Sequence, residues 1–432
     1  MDKNRSEEII DLLQRYEPKS VSGQPPVVWE KAEGMYVFDV EGRCYLDWSS
    51  GVLVANVGHG HPEIIKAIED IIKRPLLFSY SFPTEVKAML LQEMQEILIR
   101  PNDKTFLLST GAEAVECAIK LAKTYALQTY GEKRKYIVSF ENGFHGRTLG
   151  AQMAGGIPSL KAWTTGVDGP FVQVPFPDGF RSTDLSFDAF RDAISDKGIE
   201  PEQIAGVLME SYQGGGASFA PVAFMQQLAT WTDEHNIALI MDEVQSGFGR
   251  TGKWFAFEHY GIKPDLVCCG KGISSSLPLS AVIGRDDLLD LYPPGSMTST
   301  HGGHPVCCAA ALANLRAIKN EGIVENAERV GSFLGEKLKE IGQSFPQIGA
   351  VHGMGMVYAL HMVKDNGDMP DADLARRVVK RCCENGLLLF SPVGYEGANI
   401  KICPPLIATS NEIEKGIAIF QNSLREEINI NE

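Results

Sequence analysis

Five short apolar runs, at residues 105–108, 136–140, 206–209, 237–241 and 265–269, recur through the middle of the chain, each followed by a Gly, Ser or charged residue. Amphipathic helical stretches lie between them. At 112–126, Val115, Ala118, Ile119 and Ala122 share one helical face, and 221–235 has the same character. Strands alternating with helices imply an α/β fold with a mostly parallel sheet and helices on both faces. Ligands of such sheets sit beyond the carboxyl ends of the strands. After about residue 310 the pattern shifts to longer helical segments, including 312–320 and 371–385, with a few strands. A chain of 432 residues exceeds one ordinary domain. The expected organisation is a large domain at 66–310, a smaller α+β domain at 311–432, and an N-terminal segment, 1–65, packing with the smaller one. In that segment DVEGRCYLDWSS reads as a turn between two short strands.

Charge removes one class of partner. The chain has 40 basic and 55 acidic side chains, a net charge of −15, so it repels a phosphate backbone and nucleic acid is not expected. No stretch reaches the ~18 apolar residues needed to span a bilayer, and the polar start MDKNRSEEIIDLLQRYEP lacks the apolar core of a secretion signal. A cytoplasmic protein is expected, with no membrane partner. The nine cysteines include three adjacent pairs but no CxxC or Cys/His spacing, so neither a metal nor a disulfide framework is expected.

The run IALIM leads into Asp242 and Glu243, and the next run, DLVCC, leads into Gly270 and Lys271. If both strands share one parallel sheet, Asp242 and Lys271 emerge on the same edge. A pyridoxal cofactor needs that pairing: the amine condenses with its aldehyde, and the carboxylate keeps its pyridine nitrogen protonated so that the ring accepts electrons. Taken singly, a surface lysine after a strand and an aspartate at a helix start account for the same letters.

Two further segments add to the pattern. Ser109-Thr110-Gly111-Ala112 joins a strand directly to a helix, and the amides of a helix start bind phosphate; an ordinary helix cap is the plainer reading. Phe144-His145-Gly146-Arg147 follows the run YIVSF, and there an aromatic ring can stack on a pyridine and an arginine can pair with a carboxylate. No GxGxxG opens a helix, which argues against a dinucleotide.

At these residues the chain resembles the class III, or omega, aminotransferases of fold-type I, which use pyridoxal 5′-phosphate, and the 4-aminobutyrate aminotransferases most closely. The similarity runs through DVEGRCYLDWSSGVLVANVGHGHPE, STGAEAVECAIKLAK, FHGRT, MDEVQSGFGRTGKWFAFEHYGIKPDL, GKGISSSLPLSAV and STHGGHP. It implies that Lys271 is the Schiff-base lysine and Asp242 the partner of the pyridine nitrogen. Gln245 would lie near the ring hydroxyl, Gly111 and Ala112 at the phosphate, and Phe144 on the ring face, with His145 and Glu210 also at the cofactor. It implies a homodimer in which Thr300 reaches the phosphate of the neighbouring subunit. For the substrate it implies Arg147 as a carboxylate partner and Val52, Tyr80, Phe82 and Lys401 as pocket residues.

Two positions depart from the family pattern. The VEPIQGEGG block is MESYQGGGA here, with Gly215 where a gating glutamate commonly stands, and the arginine of IRFxPPL is Lys401 in NIKICPPL. A lysine lacks the bidentate fork of arginine. The expectation is that recognition of an α-carboxylate is weakened or rebuilt, and that glutamate and 2-oxoglutarate are not the exchange pair. The same scaffold and the same Lys271 and Asp242 also serve racemases, epimerases and decarboxylases, and a non-catalytic binding protein is a third possibility. Ser109, Ser276 and His304 depart too, without a chemical reading.

Overall fold

Four of the five apolar runs expected as strands lie inside a seven-stranded sheet, and the run at 105–108 forms one of its edges. In the computed structural model, which describes residues 4–167, 169–364 and 367–429, these strands are β1 (Lys104–Leu108), β2 (Tyr136–Phe140), β3 (Phe171–Val174), β4 (Ile204–Glu210), β5 (Ala238–Asp242), β6 (Leu266–Cys269) and β7 (Ser280–Gly284). Their order is β1-β7-β6-β5-β4-β2-β3. Every pair from β3 to β6 is parallel, while β7 is antiparallel to both β6 and β1. Every residue of β4 and β5 is buried, as expected for strands covered on both faces. Helix α1 (Gly111–Tyr130) fills one of those faces with Val115, Ala118, Ile119 and Ala122 in a core shared with Leu208, Ile240 and Cys268.

The chain divides into two units. The larger holds Pro62–Gly214 and Ser218–Val324, the smaller Met1–His61, Gly215–Ala217 and Glu325–Glu432. An expected boundary after residue 310 falls inside a single helix, α3, which spans Pro305–Asn320 and lies wholly in the larger unit; α2 is the crossover helix Val222–Glu234. The cause is packing: Val306 and Ala309 of α3 are buried against Ile71, Ala67 and Ile68. The helical period of the sequence marks α3 as a helix but cannot say which body its apolar face joins.

The smaller unit has two sheets, one of Trp29–Glu33, Tyr36–Asp39, Cys44–Asp47 and Leu387–Leu388, the other of Ile348–Met354, Val357–Met362 and Asn399–Ile402. The DVEGRCYLD segment does turn back between two antiparallel strands, with Asp39 accepting the N–H groups of Glu41 and Arg43 at 3.1 and 2.8 Å. Among the described residues no helix is long and apolar enough to cross a membrane.

Candidate active site

Register fixes which residues share an edge. Because β7 runs against both neighbours, pairing Ser280 with Leu108 and Ala281 with Cys269, the carboxyl ends of β1 and β6 lie together. Glu210 stands opposite Asp242, and Asp242 opposite Cys268. The start of α1, Glu210, Asp242 and Lys271 therefore leave the sheet on one edge, the edge where ligands of open α/β sheets bind.

The first turn of α1 leaves selected donors open. Thr110 caps the helix by accepting the Glu113 N–H at 3.3 Å, and the Glu113 carboxylate accepts the N–H groups of Ser109 and Thr110 at 2.9 and 3.0 Å. This reciprocal Thr-x-x-Glu box leaves the amides of Gly111 and Ala112 without a hydrogen-bond partner among the described residues. Two amides at the positive end of a 20-residue helix suit a phosphate. The backbone is also drawn in tightly. A Cβ on Gly111 would lie 2.7 Å from a methyl of Val244, and one on Gly270 would lie 3.2 Å from the same methyl and 3.5 Å from Gly111 Cα. Val244 thus packs directly on the main chain of Gly111 and Gly270.

Lys271 begins the turn after β6, half-buried and with φ of +43°. Non-glycine residues held in this region cost about 1–3 kcal/mol and persist where surroundings enforce them. The restraint comes from Asn314, fully buried on α3, whose side chain donates to the carbonyls of Gly272 and Ile273 at 2.9 and 3.0 Å. Asn314 was not legible as a site residue, since nothing in its local sequence ties it to a turn 41 positions earlier.

The two carboxylates after IALIM take opposite roles. Glu243 turns into the protein, accepting from Ser211 and Ser246 hydroxyls and from the N–H groups of Ala256 and Phe257 at 3.0 and 2.9 Å. Burial pushes it up to about 7 against those donors. Asp242 faces the edge. Its Oδ1 accepts the Val244 N–H at 3.0 Å and its Oδ2 meets Nδ1 of His145 at 2.8 Å. Burial by itself lowers the proton affinity of His145, but the hydrogen bond and charge of Asp242 and the charge of Glu210 outweigh it, and the ring is held protonated above its ordinary range. Glu210 is pushed up to about 7, first by burial and then by Asp242, with the His145 charge and two backbone N–H groups opposing. Both Glu210 oxygens are engaged by those backbone groups, Phe144 and Gly214, each at 3.0 Å.

Phe144 is half-buried and Arg147 exposed, its guanidinium 5.7 Å from the Phe144 ring centroid. Gln245 follows Asp242 by three positions and is half-buried. Tyr80, Phe82 and Thr300 are exposed, on segments that meet: the Tyr80 hydroxyl bonds Thr298 at 3.0 Å, the Phe78 ring lies 5.5 Å from that of His301, and Phe82 is 72% exposed.

Val52 and Lys401 lie in the smaller unit. Val52 is 41% exposed in a turn where Ser50, Gly51, Val52 and Leu53 all have positive φ, +62° for Val52. Lys401 is 1% exposed, on the strand Asn399–Ile402. Two residues away, on the same strand face, Asn399 donates to the Gly215 carbonyl at 3.1 Å, and His361 Nε2 donates to that of Gly216 at 3.0 Å. A Cβ at Gly215 would sit 2.7 Å from Gly394 Cα. No side chain fits at 215 unless the loop around Gly394 moves.

Known proteins share this architecture along the whole chain. The family model for class-III aminotransferases matches residues 18–424. A probable 4-aminobutyrate aminotransferase of Bacillus subtilis is 36% identical over 94% of this chain and 95% of its own. An alanine/serine racemase of Pyrococcus horikoshii is 32% identical, covering 93% of this chain and 86% of its own. An aminotransferase of Bacillus anthracis superposes with a TM-score of 0.90 at 30% identity, over 99% of this chain and 100% of its own. With helix-start amides open for a phosphate and a buried aspartate beside a lysine on the same edge, the chain belongs to the class-III aminotransferases and is a pyridoxal 5′-phosphate-dependent enzyme.

Proposed function

We propose that this enzyme moves an amino group from an ω-amino acid resembling 4-aminobutyrate, or a related amine, to a 2-oxo acid. The observation that carries the reading is the single sheet edge bearing the open amides of Gly111 and Ala112, the Asp242–His145 pair and Lys271. When bound, pyridoxal 5′-phosphate supplies an aldehyde that takes up the amino group and a ring that accepts electrons from Cα. Gly111 and Ala112 would hold its phosphate, Phe144 would pack on its ring, and Gln245 would lie near the ring hydroxyl. Asp242 would keep the ring nitrogen protonated. Lys271 would anchor the cofactor and supply the amine that moves the substrate's proton. Arg147 takes the substrate's distal carboxylate, with Tyr80 and Phe82 as further pocket residues of the larger unit and Val52 as a substrate residue from the smaller.

The crowding at Gly215 and the lysine at 401 support an acceptor other than 2-oxoglutarate. A gating carboxylate has no room at 215, and Lys401 offers a point charge where a fork would grip an α-carboxylate. The holoenzyme is expected to bleach to its amine form with ω-amino acids and with alanine, and at least about tenfold more slowly with glutamate; rapid bleaching by glutamate alone would sink this part. Likeness to a racemase favours a second reading. Racemised amino acid without keto product would establish that one instead.

The enzyme is also proposed to be a cytoplasmic homodimer in which Thr300 completes the neighbouring subunit's phosphate site. Exposed Leu77, Phe78 and Phe82 beside the Thr300 loop support a covered face, and nine cysteines that form no disulfide among the described residues suit a reducing compartment. Gel filtration of a clarified cell extract is expected to give twice the chain mass of 47.3 kDa. Elution as a single chain contradicts the dimer, and recovery only with membranes contradicts the location.

A further inference from the structure

Glu210 and Asp242 end adjacent parallel strands in register, so their side chains project to the same face of the sheet. Two buried carboxylates so placed repel one another unless a cation intervenes. His145 intervenes. Its Nδ1 is on Asp242 Oδ2, while its Nε2 and Glu210 Oε2 lie 3.4 and 3.7 Å from one shared point, the place a Cβ on Gly143 would take, and the charge of Glu210 acts on the ring. The same Glu210 carboxylate accepts the backbone N–H of Phe144 through Oε2 and that of Gly214 through Oε1. One side chain thus fixes the main chain at the ring-stacking residue and places its charge near the imidazole bound to the ring-nitrogen residue.

From this geometry we infer that Glu210 is a positioning residue, which sets the backbone of Phe144 and, through His145, holds Asp242 toward the ring nitrogen without touching the cofactor. The inference rests on the assignment of Asp242 and Phe144 proposed above. The carboxylate is needed in two separable ways. As a double acceptor it cannot be replaced by glutamine, because one end of an amide is a donor and would face a backbone N–H. As an anion it favours the charged form of His145. The ionisable groups facing this cluster are Asp242 from β5 and Glu210 from β4, with the Cys268 thiol of β6 kept neutral by burial and by Asp242.

Three variants, Glu210→Gln, Glu210→Asp and Asp242→Asn, test this by two readings. One is the dissociation constant of pyridoxal 5′-phosphate from the reconstituted enzyme; the other is the pH titration of the His145 ring, followed by its 15N shifts in cofactor-stripped protein. Glu210→Gln is expected to weaken cofactor binding about tenfold or more and to let His145 lose its proton at lower pH. Glu210→Asp keeps the charge but not the reach to both N–H groups, so it is expected to weaken binding while leaving His145 nearer its native titration. Native values of both readings in Glu210→Gln overturn the inference. Should that variant not accumulate as folded protein, a native dissociation constant in Glu210→Asp overturns it instead. Asp242→Asn separates the two layers. If it changes both readings while Glu210→Gln changes neither, only the role of Glu210 falls; if it leaves cofactor binding unchanged, the assignment of Asp242 falls as well.

Discussion

Replacing Lys271 with alanine is expected to abolish turnover, by a factor of about 10⁴ or more, together with the visible absorbance of the lysine-bound cofactor. Both losses follow from one amine serving as the cofactor's anchor and as its proton carrier, since groups that act twice in one reaction are not compensated by their neighbours. The fold is expected to survive. The turn is held by Asn314 and by the Ile273 N–H on the Gly270 carbonyl at 3.0 Å, and none of these contacts uses the lysine side chain. Thermal unfolding of the stripped variant should therefore stay close to that of stripped native protein. Retained turnover or absorbance in a correctly folded Lys271→Ala protein would falsify the site.

Replacing Asp242 with alanine is expected to act on both stability and chemistry. The side chain of His145 is 1% exposed and loses the carboxylate it meets at 2.8 Å, and removing one partner of a buried charged pair costs about 3–5 kcal/mol. The pH dependence has a definite sign. A histidine whose folded-state proton affinity is raised above the ordinary 6.5 contributes stability that is fully present below that value and is lost as pH rises through the folded pKa. The destabilisation of Asp242→Ala should thus be largest below pH about 6.5 and shrink at higher pH. Denaturant unfolding at several pH values measures it, and a penalty that grows with pH contradicts the pairing. Turnover is expected to fall about 10³-fold at all these pH values. Asp242→Asn, which keeps the shape and removes the charge, should lose turnover comparably while unfolding less readily than the alanine variant.

The same pair of residues shows where reading a sequence stops. Apolar runs of strand length predicted the interior of the sheet because burial on both faces demands such runs, and strands 136–140 and 237–241 fall within one residue of the observed bounds. Strand β7, SAVIG, was not expected, since small residues in a short run carry no period. Strand β7 pairs with both β1 and β6 and so brings the start of α1 to the sheet edge that carries Lys271. Helix α3 was shorter in the sequence than in the fold, because its first residues, PVCCAAA, are apolar on every side and give no amphipathic signal.

The local sequence determined the strand ends, the capping box at Thr110 and Glu113, and the residue types that a pyridoxal cofactor requires, because these depend on the nearest few residues along the chain. Tertiary structure decided the rest. Adjacent Asp242 and Glu243 differ in role because successive residues of a strand point to opposite faces, and only the register of β5 says which face meets the site. His145 on Asp242, Asn314 under the Lys271 turn and Gly394 against Gly215 are contacts between residues distant in the chain, formed by packing, for which neither composition nor period carries a signal.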